Sequence, residues 1–328
     1  MLAVVRDVYG PPEVLRVAEV PRPTPGAGEV LVKVRASSLN RADKYASLGA
    51  PAMIRLATGL FRPDARHRGL GMDFVGDVEA LGAEVTGLSV GDRVFGEHTL
   101  GQTWAQYACV PERLVARAPD GVGDAELACL PLAGLTALQG LRDFGRLQAG
   151  QSVLVHGATG AVGPLAVQMA KALGAGTVVA VCSGRNADLV RSLGADRVIP
   201  YDTEDFTALE QRFDVVFDVA GTRSLSELRR VLAPTGACVV VGSPEDGPLG
   251  PLGPMLAKMI QAPFVSQRVA LVQTTQNRAD LEVLAAMAAD GRLRPPIDRQ
   301  YPFEQVADAL RYLATGHPPA KVVLTGWS

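Results

Sequence analysis

Aromatic side chains are scarce in this chain: 9 Phe, 6 Tyr and 2 Trp among 328 residues, or 5%. Ala, Val and Leu must therefore fill most of its core. Histidine and cysteine are scarcer still, with four of each. The histidines stand at 67, 98, 156 and 317 and show no metal-ligand spacing. Cys109, Cys129, Cys182 and Cys238 are far apart and form no CxxC pair. Scattered cysteines in apolar segments read as buried free thiols, which suits a reducing cytoplasm. No run of about 18 apolar residues exists, so no membrane span is expected. The opening MLAVVRDVYG reads as a first strand and not as a signal peptide. Charge of one sign is lacking too. With 32 basic against 34 acidic residues, net charge -2 and no basic tract, nucleic acid is not an expected partner.

What is present suits a soluble globular protein: 48% hydrophobic and 20% charged residues, with 35 Gly and 23 Pro to make turns. The length favours two domains. Residues 1 to about 120 read as β-rich. In EVLVKVRAS, Val30, Val32 and Val34 fall on one face and Lys33 and Arg35 on the other. From about 125 to 268, apolar strands alternate with helical stretches: VLVHG, VVAVC, RVIPY, DVVFDVAG and CVVVG. That βαβ rhythm predicts α/β architecture with a doubly wound parallel sheet. Valines 322 and 323 in the closing strand KVVLT could pair it back onto the first part. Periodicity alone leaves open whether 1–122 and 269–328 then enclose an inserted 123–268.

The most specific motif is VLVHGATGAVGPLAVQMAKALGA. A strand ends at His156. Gly157, Gly160 and Gly163 follow at three-residue spacing, and an amphipathic helix carrying Pro164 in its first turn comes next. Glycines let backbone approach a pyrophosphate, and the helix N-terminus offers free N–H groups and partial positive charge. The turn Gly157–Gly163, including Thr159, Ala161 and Val162, is thus expected to bind a dinucleotide. A plain tight turn is the alternative. At the second strand's end, an NAD-binding unit usually carries an acid. Here stand Cys182, Ser183, Gly184, Arg185 and Asn186. Ser183 and Arg185 suit a 2′-phosphate, which predicts NADPH. Alternatively Arg185 is solvated and Asp188 binds the ribose.

With these motifs the chain resembles the medium-chain dehydrogenase/reductase superfamily, and within it the zinc-free quinone oxidoreductase (zeta-crystallin-like) branch. PRPTPGAGEVLVKVRASSLNRAD, LGMDFVGDVEALG, VGDRVFG, LPLAGLTAL, RSLGADRVI and GHPPAKVVLTG carry the likeness with the glycine turn. The resemblance implies a GroES-like catalytic domain from both chain ends, an inserted Rossmann domain and NADPH in the cleft between them. It places the zinc-ligand positions of other members on Asn40, Met72 and Leu132, a set unsuited to zinc, so no metal is expected. It also implies cofactor contacts for Thr136, Tyr201, Gly221, Gly242 and Lys321. Lys321 reads equally as a surface lysine opening the last strand.

Without a metal Lewis acid, the expected electrophile is a quinone or an α,β-unsaturated carbonyl, whose developing oxyanion needs only hydrogen-bond donors. Asn40, Asp43 and Tyr45 in SLNRADKY are the candidate catalytic residues. Asp43 reads equally as an orienting group and Tyr45 as packing; Lys44 departs from the family by separating Asp43 from Tyr45. A tailoring reductase of a polyketide-like enone or enoyl thioester, and a non-catalytic NADPH-binding structural protein, are the alternative functions. Two further segments stay open. Arg55, Arg62, Arg66, His67 and Arg68 form either a cationic wall or a solvated face. Residues 247–264 form a lid, a subunit contact or a plain loop and helix. FVSQRVALVQT (264–274) is the candidate edge strand for a homodimer.

Overall fold

The computed structural model describes residues 1–99, 102–244, 252–315 and 317–327. The chain falls into two compact units: Met1–Leu132 with Gln276–Ser328, and Ala133–Thr275.

The first unit opens with an antiparallel pair, β1 (Leu2–Val5) and β2 (Arg16–Glu19). The long β3 (Glu29–Ser38) follows, then α1 (Arg41–Leu48), α2 (Met53–Thr58), β4 (Asp73–Leu81), β5 (Arg93–Glu97), β6 (Tyr107–Pro111), β7 (Val115–Arg117) and α3 (Asp124–Ala128). As its alternation predicts, β3 buries Val30, Val32 and Val34 and exposes Lys33 and Arg35. These valines join Phe74, Trp104 and Phe303 in one core.

The chain enters the second unit through α4 (Pro131–Gln139). Its elements are β8 (Ser152–His156), α5 (Gly163–Ala172), β9 (Thr177–Cys182), α6 (Ala187–Ser192), β10 (Arg197–Pro200), β11 (Phe213–Asp218), α7 (Leu225–Leu228), β12 (Leu232–Val240), α8 (Leu252–Gln261) and β13 (Arg268–Leu271). The sheet order is β10-β9-β8-β11-β12-β13, parallel throughout. Strand order reverses between β8 and β11, the place where doubly wound sheets bind ligands at their carboxyl ends.

The chain then returns to the first unit with α9 (Arg278–Ala289), β14 (Ile297–Tyr301), α10 (Val306–Thr315) and β15 (Lys321–Thr325). β15 pairs antiparallel with β3, Val323 opposite Ser38, so both chain ends build one sheet, β14-β15-β3-β4-β5-β7. The fold is the expected one: a Rossmann sheet inserted in a β-rich GroES-like unit. The boundaries differ from 122/123 and 268/269. The helical stretch after 123 is α3, which packs on β3 and β4 of the first unit. The strand after 268 is β13, which pairs with β12 of the Rossmann sheet.

Candidate functional site

In the second unit, the glycine turn follows β8 directly. Gly157 and Gly160 adopt φ of +89° and +83°, conformations that favour glycine. A Cβ on Gly157 would lie 2.8 Å from the Ala220 nitrogen, and one on Gly163 only 2.2 Å from the Gly157 oxygen. Gly160 has open space instead, as a backbone facing a ligand requires. Thr159, Ala161 and Val162 are half-buried around it. Val162 precedes α5, which carries Pro164 in its first turn.

The tip of β9 gathers the residues expected at the adenosine end. Tyr201 donates its backbone N–H to the Cys182 oxygen at 3.0 Å. Asn186 Nδ2 donates to Ser183 Oγ at 3.1 Å. Arg185 is exposed and enters no ion pair among the described residues. Asp188 is 99% exposed at its side chain and pairs with Arg191 at 2.6 Å. Sequence reasoning missed Asp202, whose carboxylate accepts the Gly184 N–H at 3.0 Å. It reaches this tip from the end of β10, and no spacing in the sequence announces it.

At the reversal point lies a buried polar chain, also missed. Asp218 ends β11; it accepts from His156 Nδ1 at 2.7 Å, from Lys258 Nζ at 2.5 Å and from the Gly221 N–H at 2.9 Å. Burial pushes the Asp218 carboxyl up, but the His156 hydrogen bond and the nearby charges outweigh it and hold it below the ordinary range. Gly221 (φ +69°) and Gly242 abut: a Cβ on Gly221 would sit 2.4 Å from the Gly242 oxygen. Thr136 is buried with its hydroxyl 3.2 Å from that of Thr274. Lys258 belongs to α8 and fixes that helix to the strand tips. Residues 247–251 of the candidate lid segment lie outside the described residues. The thiols of Cys129, Cys182 and Cys238 are buried and pushed up by burial to about 12, 11 and 12, so they are unreactive.

In the first unit, the chain end and the β3–α1 corner meet at Asp73. Its Oδ2 accepts from Ser38 Oγ at 2.5 Å and Asn40 Nδ2 at 2.8 Å, and its Oδ1 accepts the Leu132 N–H at 2.9 Å. Lys321 Nζ donates to Asn40 Oδ1 at 2.8 Å and lies 3.4 Å from Asp73 Oδ2. Lys321 is 2% exposed, which overturns the surface-lysine reading. Asp43 Oδ2 accepts the Asn40 N–H at 2.8 Å. Burial pushes the Asp43 carboxyl up to about 8; the Asn40 N–H opposes that shift and the Asp73 charge adds to it. Glu97, also buried, is raised to about 7 by burial and then by Asp73, against hydrogen bonds from Gln276 and Thr99. Tyr45 is half-buried on α1.

The family described as "Alcohol dehydrogenase GroES-like domain" matches residues 26–120, and "Zinc-binding dehydrogenase" matches 193–324. The chain is 32% identical to quinone oxidoreductase QR1 of Triphysaria versicolor, over 99% of this chain and 98% of the relative. It is 35% identical to 2-methylene-furan-3-one reductase of Solanum lycopersicum, over 96% and 76%. The solved quinone oxidoreductase of Coxiella burnetii superposes with TM-score 0.86 at 30% identity, covering 100% and 99%. The chain belongs to the medium-chain dehydrogenase/reductase superfamily, with quinone oxidoreductases as relatives. It also matches a mycocerosic acid synthase-like polyketide synthase of Mycobacterium tuberculosis at 32% identity, spanning 15% of that relative's length.

Members of the superfamily are oxidoreductases that use a nicotinamide cofactor, and the turn and strand tips of the second unit fit one. Zinc does not fit. Asn40 is committed to Lys321 and Asp73, Met72 is buried, and Leu132 has no donor but its backbone. The Lys321 ammonium bonds Asn40 and approaches Asp73 there. Among the described residues no group of three or more His, Cys, Asp and Glu side chains is arranged to hold a metal ion. Among those residues no helix is long and apolar enough to cross a membrane.

Proposed function

We propose that the protein is an NADPH-dependent, zinc-independent reductase of quinones or α,β-unsaturated carbonyls. The Asn40–Asp73–Lys321 cluster supports this reading: Asn40, one of the three positions that the family likeness assigns to zinc, bonds a lysine ammonium and that lysine's counter-ion instead. When bound, NADPH supplies hydride. The chain's own residues then orient and polarise. Asn40 is held at both ends of its amide, by Lys321 and by Asp73, so it is preorganised beside the reacting carbonyl. Tyr45 supplies a further hydroxyl donor, and Asp43 orients the segment by accepting the Asn40 N–H. Ser183, Arg185, Asn186 and Tyr201 take the 2′-phosphate. Gly157 to Gly163 take the pyrophosphate, while Thr136, Gly221 and Gly242 border the rest of the cofactor.

The names of the Triphysaria and Coxiella relatives favour a quinone, and that of the Solanum relative an enone. The match to a polyketide synthase favours a second reading, reduction of an enoyl thioester. NADPH oxidation followed by absorbance against quinones, enones, enoyl thioesters, aldehydes and simple ketones tests both. Turnover of the first three classes and not the last two is expected. Tight cofactor binding with no turnover would mean a non-catalytic NADPH-binding protein. We assign β13, at the edge of its sheet, to a homodimer contact, which light scattering tests.

A further inference from the structure

Arg6, in the first unit, is 1% exposed, yet its Nε and Nη1 meet no acceptor among the described residues. The ring of Tyr9 lies 5.3 Å from its Cζ and is shared with Arg55 at 5.1 Å. Burial lowers Arg6 to about 10, so it stays charged at neutral pH. A desolvated guanidinium without a carboxylate destabilises a fold, and its retention points to a ligand that completes it.

Arg6 lines a cavity of about 40 Å³ whose other walls include Asp43, His67, Met72 and Thr99. Roughly 10–15 Å³ of such space holds one water. The cavity therefore takes a few oxygen atoms and no ring. Asp43 Oδ1 is buried without a partner, while Oδ2 is taken by the Asn40 N–H. A carboxyl kept protonated by burial presents Oδ1 as an O–H donor. His67 is engaged with Asp64 at 2.8 Å, and the Thr99 hydroxyl with Glu97 at 3.3 Å. The unfilled demand in this cavity is thus for an acceptor, and Arg6 makes it an anionic one.

We propose that the cavity between Arg6 and Asp43 is a subsite for a carboxylate-sized oxyanion carried by the substrate. It rests on the reductase reading, because Asp43 joins this cavity to Asn40. The substrate class narrows accordingly to unsaturated carbonyl compounds that bear a carboxylate.

Two arms test it on the full chain. In the first, wild type, Arg6→Met and Arg6→Lys are titrated with formate, following thermal melting and the NMR line width of ¹³C-formate. Formate should broaden and should raise the melting temperature of wild type, weakly so for Arg6→Lys and not for Arg6→Met. In the second, NADPH oxidation is compared for a keto-alkenoate and its methyl ester. The kcat/KM ratio of acid to ester should fall about 10-fold or more in Arg6→Met, the loss of one charge-assisted contact. Identical ratios in wild type and Arg6→Met, with no formate binding, overturn the proposal. Formate binding that depends on Arg6 without any preference for the acid assigns the cavity to a free anion and overturns the substrate assignment. Absence of turnover with both compounds overturns the reductase reading alone, and the formate arm still decides the subsite.

Discussion

Lys321 donates its ammonium to Asn40 Oδ1 across 2.8 Å, joining the first residue of β15 to the residue that precedes α1. The two are 281 positions apart in sequence. This bond and the 3.4 Å approach to Asp73 place a paired cation in a polar centre that is closed to solvent.

Removing that cation should be costly. Lys321→Met leaves Asp73 buried with its charge unbalanced, and breaking one partner of a buried pair costs about 3–5 kcal/mol. Urea unfolding should show a lower midpoint at an unchanged slope. Asp73→Asn combined with Lys321→Met should recover part of the loss, because neither charge then remains. A single variant as stable as wild type would mean that the pair contributes nothing.

The glycine turn gives a sharper prediction. Gly163→Ala would drive a Cβ to 2.2 Å from the Gly157 oxygen, so the turn must open. NADPH affinity, read by fluorescence titration, should drop at least 10-fold, about 1.4 kcal/mol. Gly28→Ala, where no atom lies within 4 Å of the new Cβ, should leave affinity unchanged. Similar affinity in both variants would remove the turn from the cofactor site.

Much of this was legible because it is local. The βαβ rhythm, the glycine turn with Pro164 and the alternation of β3 are written within short windows, and each element forms where they place it. The returning strand β15 was legible through its valines and the family likeness. What remained hidden depends on chain segments far apart. Lys258 meets Asp218 across 40 positions, Asp73 meets Leu132 across 59, and Asp202 reaches Gly184 across 18. Arg6 lies in the opening strand segment MLAVVRDVYG, and its burial comes from packing that no periodicity encodes. In the arginine-rich segment Arg68 pairs with Asp7, His67 bonds Asp64, and Arg55 bonds the Gly49 oxygen at 2.9 Å.

Metal content follows from the donor set. Asn40, Met72 and Leu132 offer zinc no adequate ligand group. Elemental analysis of the purified protein should find no stoichiometric zinc, and a chelator should leave NADPH oxidation intact. One zinc per chain, with activity lost on its removal, would require Lys321 to leave Asn40 and would overturn the metal-free mechanism.

Cofactor choice turns on Arg185 against Asp202. Arg185→Ala should raise the dissociation constant of NADPH about 10- to 100-fold, the equivalent of one charge-assisted hydrogen bond, and alter that of NADH little. Asp202→Asn should act oppositely. It removes a negative charge from the β9 tip and should tighten NADPH more than NADH. Equal changes for both cofactors in Arg185→Ala would end the assignment of the 2′-phosphate to this tip.

The raised carboxyl of Asp43 links stability to pH with a definite sign. Its ordinary pKa is 3.8, and burial lifts it to about 8 in the folded chain. Between those values the unfolded chain has released the proton and the folded chain keeps it. Unfolding then releases protons, and stability falls as pH rises from about 4 to about 8. Glu97 adds to the slope between 4.5 and about 7. Asp218, held low by His156 and Lys258, works the other way, and its stabilisation is lost only in acid. Asp43→Asn has no proton to release at this position. Its stability relative to wild type should therefore increase from about pH 5 to about pH 8. Urea unfolding of both proteins across that range measures the difference, and parallel pH profiles would show that Asp43 is ionised in the folded chain.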